Sequence, residues 1–152
     1  MEPVTVRQCC AYELEQAPEF GVLVDEYALE ACRADLGAIG VQVDQYKLLE
    51  SHGLMRFLSA WRGQELVGFA TVVATIAPHY GKKVATTETL FLSESARDGG
   101  AGLDLLKLAE QTASEMGAVG FFVSAPVGGA LSKILPRVGF KHTNEVFFKA
   151  VA

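Results

Sequence analysis

The segment Arg97-Asp98-Gly99-Gly100-Ala101-Gly102 has residue types and spacing suited to holding an anion. It follows the apolar run Thr89-Leu90-Phe91-Leu92 and opens a helical pattern from Leu103 to Met116. The first amides of a helix have no partner within the helix, and the helix dipole favours negative charge beside them. A strand, a glycine turn and a helix start therefore form a pyrophosphate cradle. Glycine lets the backbone approach a ligand closely because no Cβ intervenes. A glycine pair can also serve as a plain connection, so context must decide. A Walker loop needs Gly-Lys-Ser/Thr, which is absent. A dinucleotide fingerprint needs a third glycine three residues after Gly102, where Leu105 stands.

Other reactive residue types are sparse. The three cysteines, Cys9, Cys10 and Cys32, form no spaced framework and read as small buried hydrophobes rather than reactive thiols. His52, His79 and His142 show no metal-ligand spacing, so no metal site is expected.

The elements that must position the loop follow from periodicity. Val4 to Cys9 reads as a first strand. Pro18 opens a helix with Phe20, Leu23, Val24, Tyr27, Ala28 and Ala31 at helical spacing. Gly37 and Gly40 interrupt, and a second helix covers about 42–51. Leu54–Trp61 and Leu66–Ile76 read as a hairpin around Arg62-Gly63-Gln64, and Val84–Ser93 as the next strand. The helix after the loop has a stripe of Gly102, Leu105, Leu106, Ala109, Ala113 and Met116. Val119 to Ser124 is wholly apolar apart from its end and predicts a strand buried on both faces. Ala130–Leu135 predicts a short helix, and Phe140–Val151 one or two closing strands. The fold class is α+β: a single domain over 1–152 with a mostly antiparallel mixed sheet flanked by helices.

Composition narrows the function classes. A chain of 152 residues, half of them hydrophobic, can bury one sizeable core. A net charge of -5 argues against non-specific nucleic-acid binding. No apolar run approaches the roughly 18 residues of a membrane span. The start Met1-Glu2-Pro3 lacks signal-peptide character, so the expectation is a cytoplasmic protein without membrane partners.

The spacing Arg-x-x-Gly-x-Gly at 97–102 resembles the acyl-CoA pyrophosphate loop of the GNAT N-acetyltransferase superfamily. The element order resembles the family over about the whole chain, and Leu135-Pro136-Arg137-Val138-Gly139-Phe140 looks like its helix ending before a Gly-Phe strand start. The resemblance implies acetyl-CoA, or another acyl-CoA, as donor and an amine of a small molecule or peptide as acceptor. It places the pantetheine arm on the backbone of Leu90, Phe91 and Leu92, and the pyrophosphate on Arg97, Asp98, Gly99, Gly100, Ala101, Gly102 and Leu103. It also implies a parallel strand that splays away at Ser124-Ala125 to admit the thioester. Arg97, a cation at a helix start, is better explained if an anion binds beside it, although a solvated charge would read the same way.

Acyl transfer needs a base, a polarised carbonyl and a proton for the leaving thiolate. A backbone N–H near Phe91 or Leu92 would polarise the carbonyl. Glu88 shares the parity of Leu90 and Leu92 and is the first candidate base, against a plain surface carboxylate. His79, in the loop before that strand, is the second, against a solvated loop histidine. Two positions depart from the family: Leu135 stands where a tyrosine acid is usual, and Gly128 where an asparagine is usual. Ser124 or Ser132 would have to donate through water. These departures favour an alternative, a catalytically degenerate CoA-binding or interaction module, and a protein without a CoA site is a third reading. In such folds the first two helices and the final strands shape the acceptor pocket, where Phe20, Tyr27, Tyr46 and Phe147 are candidates only as core residues, and 145–151 could pair with a second copy as a homodimer.

Overall fold

A computed structural model describes residues 2–31 and 41–151. Gly37, Gly40 and Cys32 lie outside the described residues. The sheet has five strands in sequence order: β1 (Val4–Cys9), β2 (Met55–Arg62), β3 (Glu65–Ala77), β4 (Lys82–Leu92) and β5 (Gly120–Phe122). The first four pair antiparallel, and β5 joins β4 in parallel. The helices are α1 (Ala11–Gln16), α2 (Phe20–Ala31), α3 (Val43–Ser51), α4 (Ala101–Glu115) and α5 (Ala130–Ile134).

The sheet buries both faces. Leu58, Ala60, Ala70, Val72 and Ala85 pack with Leu105, Ala109 and Ala113 of α4. These α4 residues belong to the stripe at i, i+4 and i+8 expected for a helix lying on a sheet. On the opposite face Phe57, Phe69 and Phe91 meet Leu14, Phe20, Leu23 and Tyr46 from α1, α2 and α3. Two carboxylates pin that second layer. Glu19 accepts the Leu66 N–H at 2.8 Å, and Glu50 accepts the Ala11 N–H at 3.1 Å, at the unpaired start of α1.

Three differences from the sequence reading stand out. An additional helix, α1, follows β1 directly. Its start is marked by Glu13, which reaches back to the Cys10 N–H at 3.4 Å. Next, β5 is a three-residue strand, and Val119 and Phe122 are exposed rather than buried. Lastly, residues 140–151 form no strand, and Val146, Phe147 and Val151 are exposed. The last two are one effect. Among the described residues no strand pairs with the outer edge of β5, where Phe140 packs on Phe121 at 6.0 Å between ring centroids.

Candidate active site

A bulge in β4 defines the centre of the site. Thr71 of β3 faces Thr89 and Val72 faces Thr87, which leaves Glu88 as an extra residue. The bulge overturns the simple parity expected for this strand. Leu90 and Leu92 belong to the core under α4. Glu88 instead faces α3, where one oxygen, Oε2, accepts three hydroxyls: Tyr46 at 3.2 Å, Thr71 at 3.0 Å and Thr89 at 3.0 Å. None of the described residues donates to Oε1. Burial, then the Glu88 charge, pushes the Tyr46 phenol well above its ordinary range, so it remains a proton donor to the carboxylate.

Glu88 opens into a cavity of about 300 Å³ between α2, α3 and the sheet, where Tyr27, Tyr46, Leu49, Met55 and Val73 form much of the wall. Tyr27 is fixed by edge-on contacts with Phe69 and Phe91. Sequence reasoning named Tyr27 and Tyr46 only as core residues and missed Thr71 and Thr89. No local signal marks a threonine whose partner is set by strand register. Phe20 is core, as expected, whereas Phe147, also expected as core, is exposed.

Beyond Glu88, β4 parts from β5. The two strands pair only at Val84–Thr86 and Gly120–Phe122. From Thr87 to Leu92, β3 is the only strand among the described residues that pairs with β4. Ser93 N–H donates to Val67 O at 2.8 Å, in register with the Phe69/Phe91 pair. Antiparallel alternation then turns the peptide groups of Leu90 and Leu92 away from β3 and into the gap. The Leu92 carbonyl lies on that edge and accepts Arg97 Nε at 2.9 Å.

At the end of the gap, Gly99 and Gly100 both adopt left-handed backbone (φ 93° and 84°). Among the described residues, no atom of another part of the chain lies within 4 Å of where a Cβ would stand on either. The space before them is open, and their conformation is one that other residues adopt at a cost of about 1–2 kcal/mol. Gly100 caps α4 without a side chain, so the first amides of the helix keep no side-chain partner. Asp98 is exposed, Ala101 is buried, and Leu103 is partly exposed on the first turn. Arg97 is not a free solvated charge. Its guanidinium pairs with Glu30 of α2 and lies 5.5 Å above the Phe91 ring.

The remaining candidates lie elsewhere. His79 is exposed at the β3–β4 turn, stacked edge-on with Tyr80, and six residues of strand (about 20 Å) separate Lys82 from Glu88. The structure does not bring His79 to the carboxylate. Ser124 is exposed beyond the end of β5. Ser132 donates to Gly129 O within its own turn at 2.7 Å, and Leu135 is buried. Burial pushes the Cys9 thiol up to about 12, so it is no nucleophile. Among the described residues no group of histidine, cysteine and carboxylate side chains could hold a metal. Nor is any described helix long and apolar enough to cross a membrane.

Comparison with known proteins agrees with this geometry. The chain resembles a ribosomal-protein-alanine N-acetyltransferase from Brucella melitensis biovar Abortus 2308, with TM-score 0.73, 17% identity, and 98% of this chain and 99% of that one covered. It resembles the aminoglycoside acetyltransferase HMB0005 from an uncultured soil metagenomic sample, with TM-score 0.75, 18% identity and coverage of 98% and 99%. An acetyltransferase from Trypanosoma brucei gives TM-score 0.70 at 16% identity, with 97% and 99% covered. At these identities the likeness is one of fold. No curated protein matches at the level of sequence. The sequence model of the Acetyltransferase (GNAT) family matches residues 12–132, and the chain belongs to that family.

Proposed function

We propose that the chain is a cytoplasmic enzyme that moves an acetyl group from acetyl-CoA to the nitrogen of an amine held in the cavity over Glu88. The observation that carries this reading is the bulge: it sets in a cavity beside the gap between β4 and β5 a carboxylate whose Oε1 accepts from none of the described residues. Acetyl-CoA, when bound, supplies the acetyl group as an activated thioester. Gly99, Gly100, Ala101, Gly102 and Leu103 offer amides to the pyrophosphate, with Arg97 and Asp98 at its flank. Leu90, Phe91 and Leu92 supply the backbone edge for the pantetheine arm. Ser124 lies beyond the far wall of the gap.

Glu88 Oε1 takes the proton from the acceptor's ammonium and leaves a nitrogen lone pair. That lone pair forms the N–C bond as the C–S bond breaks. The Leu90 or Leu92 N–H is the donor available to the developing oxyanion. Leu135 cannot protonate the thiolate, so the second proton, which the acylated nitrogen must lose to become an amide, passes through water to the thiolate, a base whose thiol has a pKa of about 8.5. Leu135 also favours the second reading, a CoA-binding module without turnover. The open edge of β5 and the exposed apolar residues of 145–151 support a homodimer through that segment, which light scattering would test.

Calorimetry with acetyl-CoA, comparing wild type with Gly100→Trp, tests donor binding. Equal affinities overturn the loop assignment. Thiol release with a panel of amines tests transfer. Tight CoA binding without release on any amine leaves the module.

A further inference from the structure

We infer that the acceptor is a compact amine with one positive charge on an apolar body, a class that an alkyl or arylalkyl amine exemplifies. The inference rests on the reading of Glu88 as the acceptor's base. The cavity, about 300 Å³, lies at the low end of the range of ligand pockets, about 300–1,000 Å³. Among the described residues lining it, Glu88 is the only one that carries a charge. Three hydroxyls already occupy one of its oxygens, so it offers one strong acceptor.

The rest of the lining is graded. Gln42 and Gln45 are exposed and polar, while Met55 is 2% exposed and Tyr46 8%. Leu49 and Val73 continue the apolar surface, and the Tyr46 hydroxyl is turned to Glu88. A ligand with its ammonium at Glu88 Oε1 therefore lays its remaining atoms against carbon. A polyamine or aminosugar would bring further ammonium or hydroxyl groups to that surface. Against Leu49, Met55 and Val73 each would lose water without gaining a partner, which is costly for a polar group and more so for a charge; the neutral polar groups of Tyr27, Gln42 and Gln45 offer no counter-charge. The cavity thus selects against many-charged acceptors.

The test is a series of n-alkylamines from propylamine to hexylamine, with 1,6-diaminohexane beside them. Each methylene placed on the apolar wall raises kcat/KM about fourfold. The diamine, whose second ammonium falls on that wall, is at least about 30-fold poorer than hexylamine, from the cost of burying a charged group. A flat series, or a diamine equal to hexylamine, overturns the inference. Leu49→Asp places a second carboxylate in the wall and should shift preference toward the diamine. An unshifted preference in a variant that still binds CoA counts against it. The same amines titrated calorimetrically into protein saturated with CoA separate the two levels. Chain-length dependence there without any turnover sustains the inference and overturns only acetyl transfer. No binding of hexylamine overturns the inference itself.

Discussion

Tyr46 donates its hydroxyl to Glu88 at 3.2 Å across 42 residues of sequence, joining α3 to the bulge of β4. With Thr71 and Thr89 the contact holds Oε2, while Oε1 accepts from none of the described residues. If Glu88 is the base, Glu88→Gln lowers kcat by about 10²-fold or more while the KM for acetyl-CoA stays unchanged. Tyr46→Phe removes one hydrogen bond to a charged group, about 1.5 kcal/mol, and costs about tenfold. Steady-state kinetics on both variants check the order. A Gln variant as active as wild type removes Glu88 from the chemistry.

The glycine loop separates strain from ligand contact. Gly100 sits at φ 84° with open space ahead of it, so Gly100→Ala loses about 1–2 kcal/mol of stability through backbone strain alone. Gly102 is within α4, and a Cβ there would meet only Leu92 Cδ1 at 3.7 Å, an ordinary contact. Gly102→Ala therefore gains about 0.5 kcal/mol of stability from helix propensity. If the loop cradles pyrophosphate, the same change weakens acetyl-CoA binding. Denaturant unfolding and calorimetry should move in opposite directions for Gly102→Ala. Unchanged affinity counts against the cradle.

What was legible in the sequence followed from local pattern. The strand Val4–Cys9, the stripe of α4 and the glycine turn are each written in the spacing of a few neighbours. The short α1 was not legible because six residues span less than two turns and cannot show a period. The Glu88 bulge was hidden for a different reason. A bulge is a count of residues between two paired strands, and neither Thr71 nor Thr89 shows alone that Glu88 is the extra one. The parity argument for Glu88, Leu90 and Leu92 failed at that residue. The apolar run from Val119 promised burial on both faces, but burial depends on what covers a strand, and nothing in the run itself shows that residues 140–151 stay out of the sheet.

Cys9 makes stability depend on alkaline pH. Its thiol is pushed from 9.0 up to about 12, mainly by burial, so the folded chain holds that proton more tightly than the unfolded chain. The stabilisation is complete below pH 9 and is lost as pH rises from there toward 12. Tyr46, shifted in the same direction from 10.0, adds to the loss above pH 10. Between pH 8 and pH 10 wild type should lose about 1 kcal/mol more than Cys9→Ala. Denaturant midpoints at the two pH values measure this. Parallel losses in the two proteins would show that the thiol ionises as freely in the fold as in the unfolded chain.

Arg97 is committed to the protein's own groups before any donor arrives, and that commitment can be weakened selectively. Its partner Glu30 belongs to α2, and the pair is 42% and 52% exposed, so the ion pair is worth at most about 1 kcal/mol and weakens with salt. Its Nε bond to the Leu92 carbonyl does not involve Glu30 and still holds the side chain at the end of β4. Glu30→Gln should therefore leave stability nearly unchanged while removing a carboxylate that competes with phosphate for the guanidinium. If Arg97 contacts the pyrophosphate, Glu30→Gln tightens acetyl-CoA binding by a few-fold at low salt, by up to the pair's ~1 kcal/mol, and Arg97→Ala weakens it. The double variant should bind like Arg97→Ala, since Glu30 acts only through the arginine. Calorimetry at two salt concentrations reads all three. An effect of Glu30→Gln that persists in the absence of Arg97 would place the carboxylate's influence on general repulsion of the donor's phosphates and not on this pair.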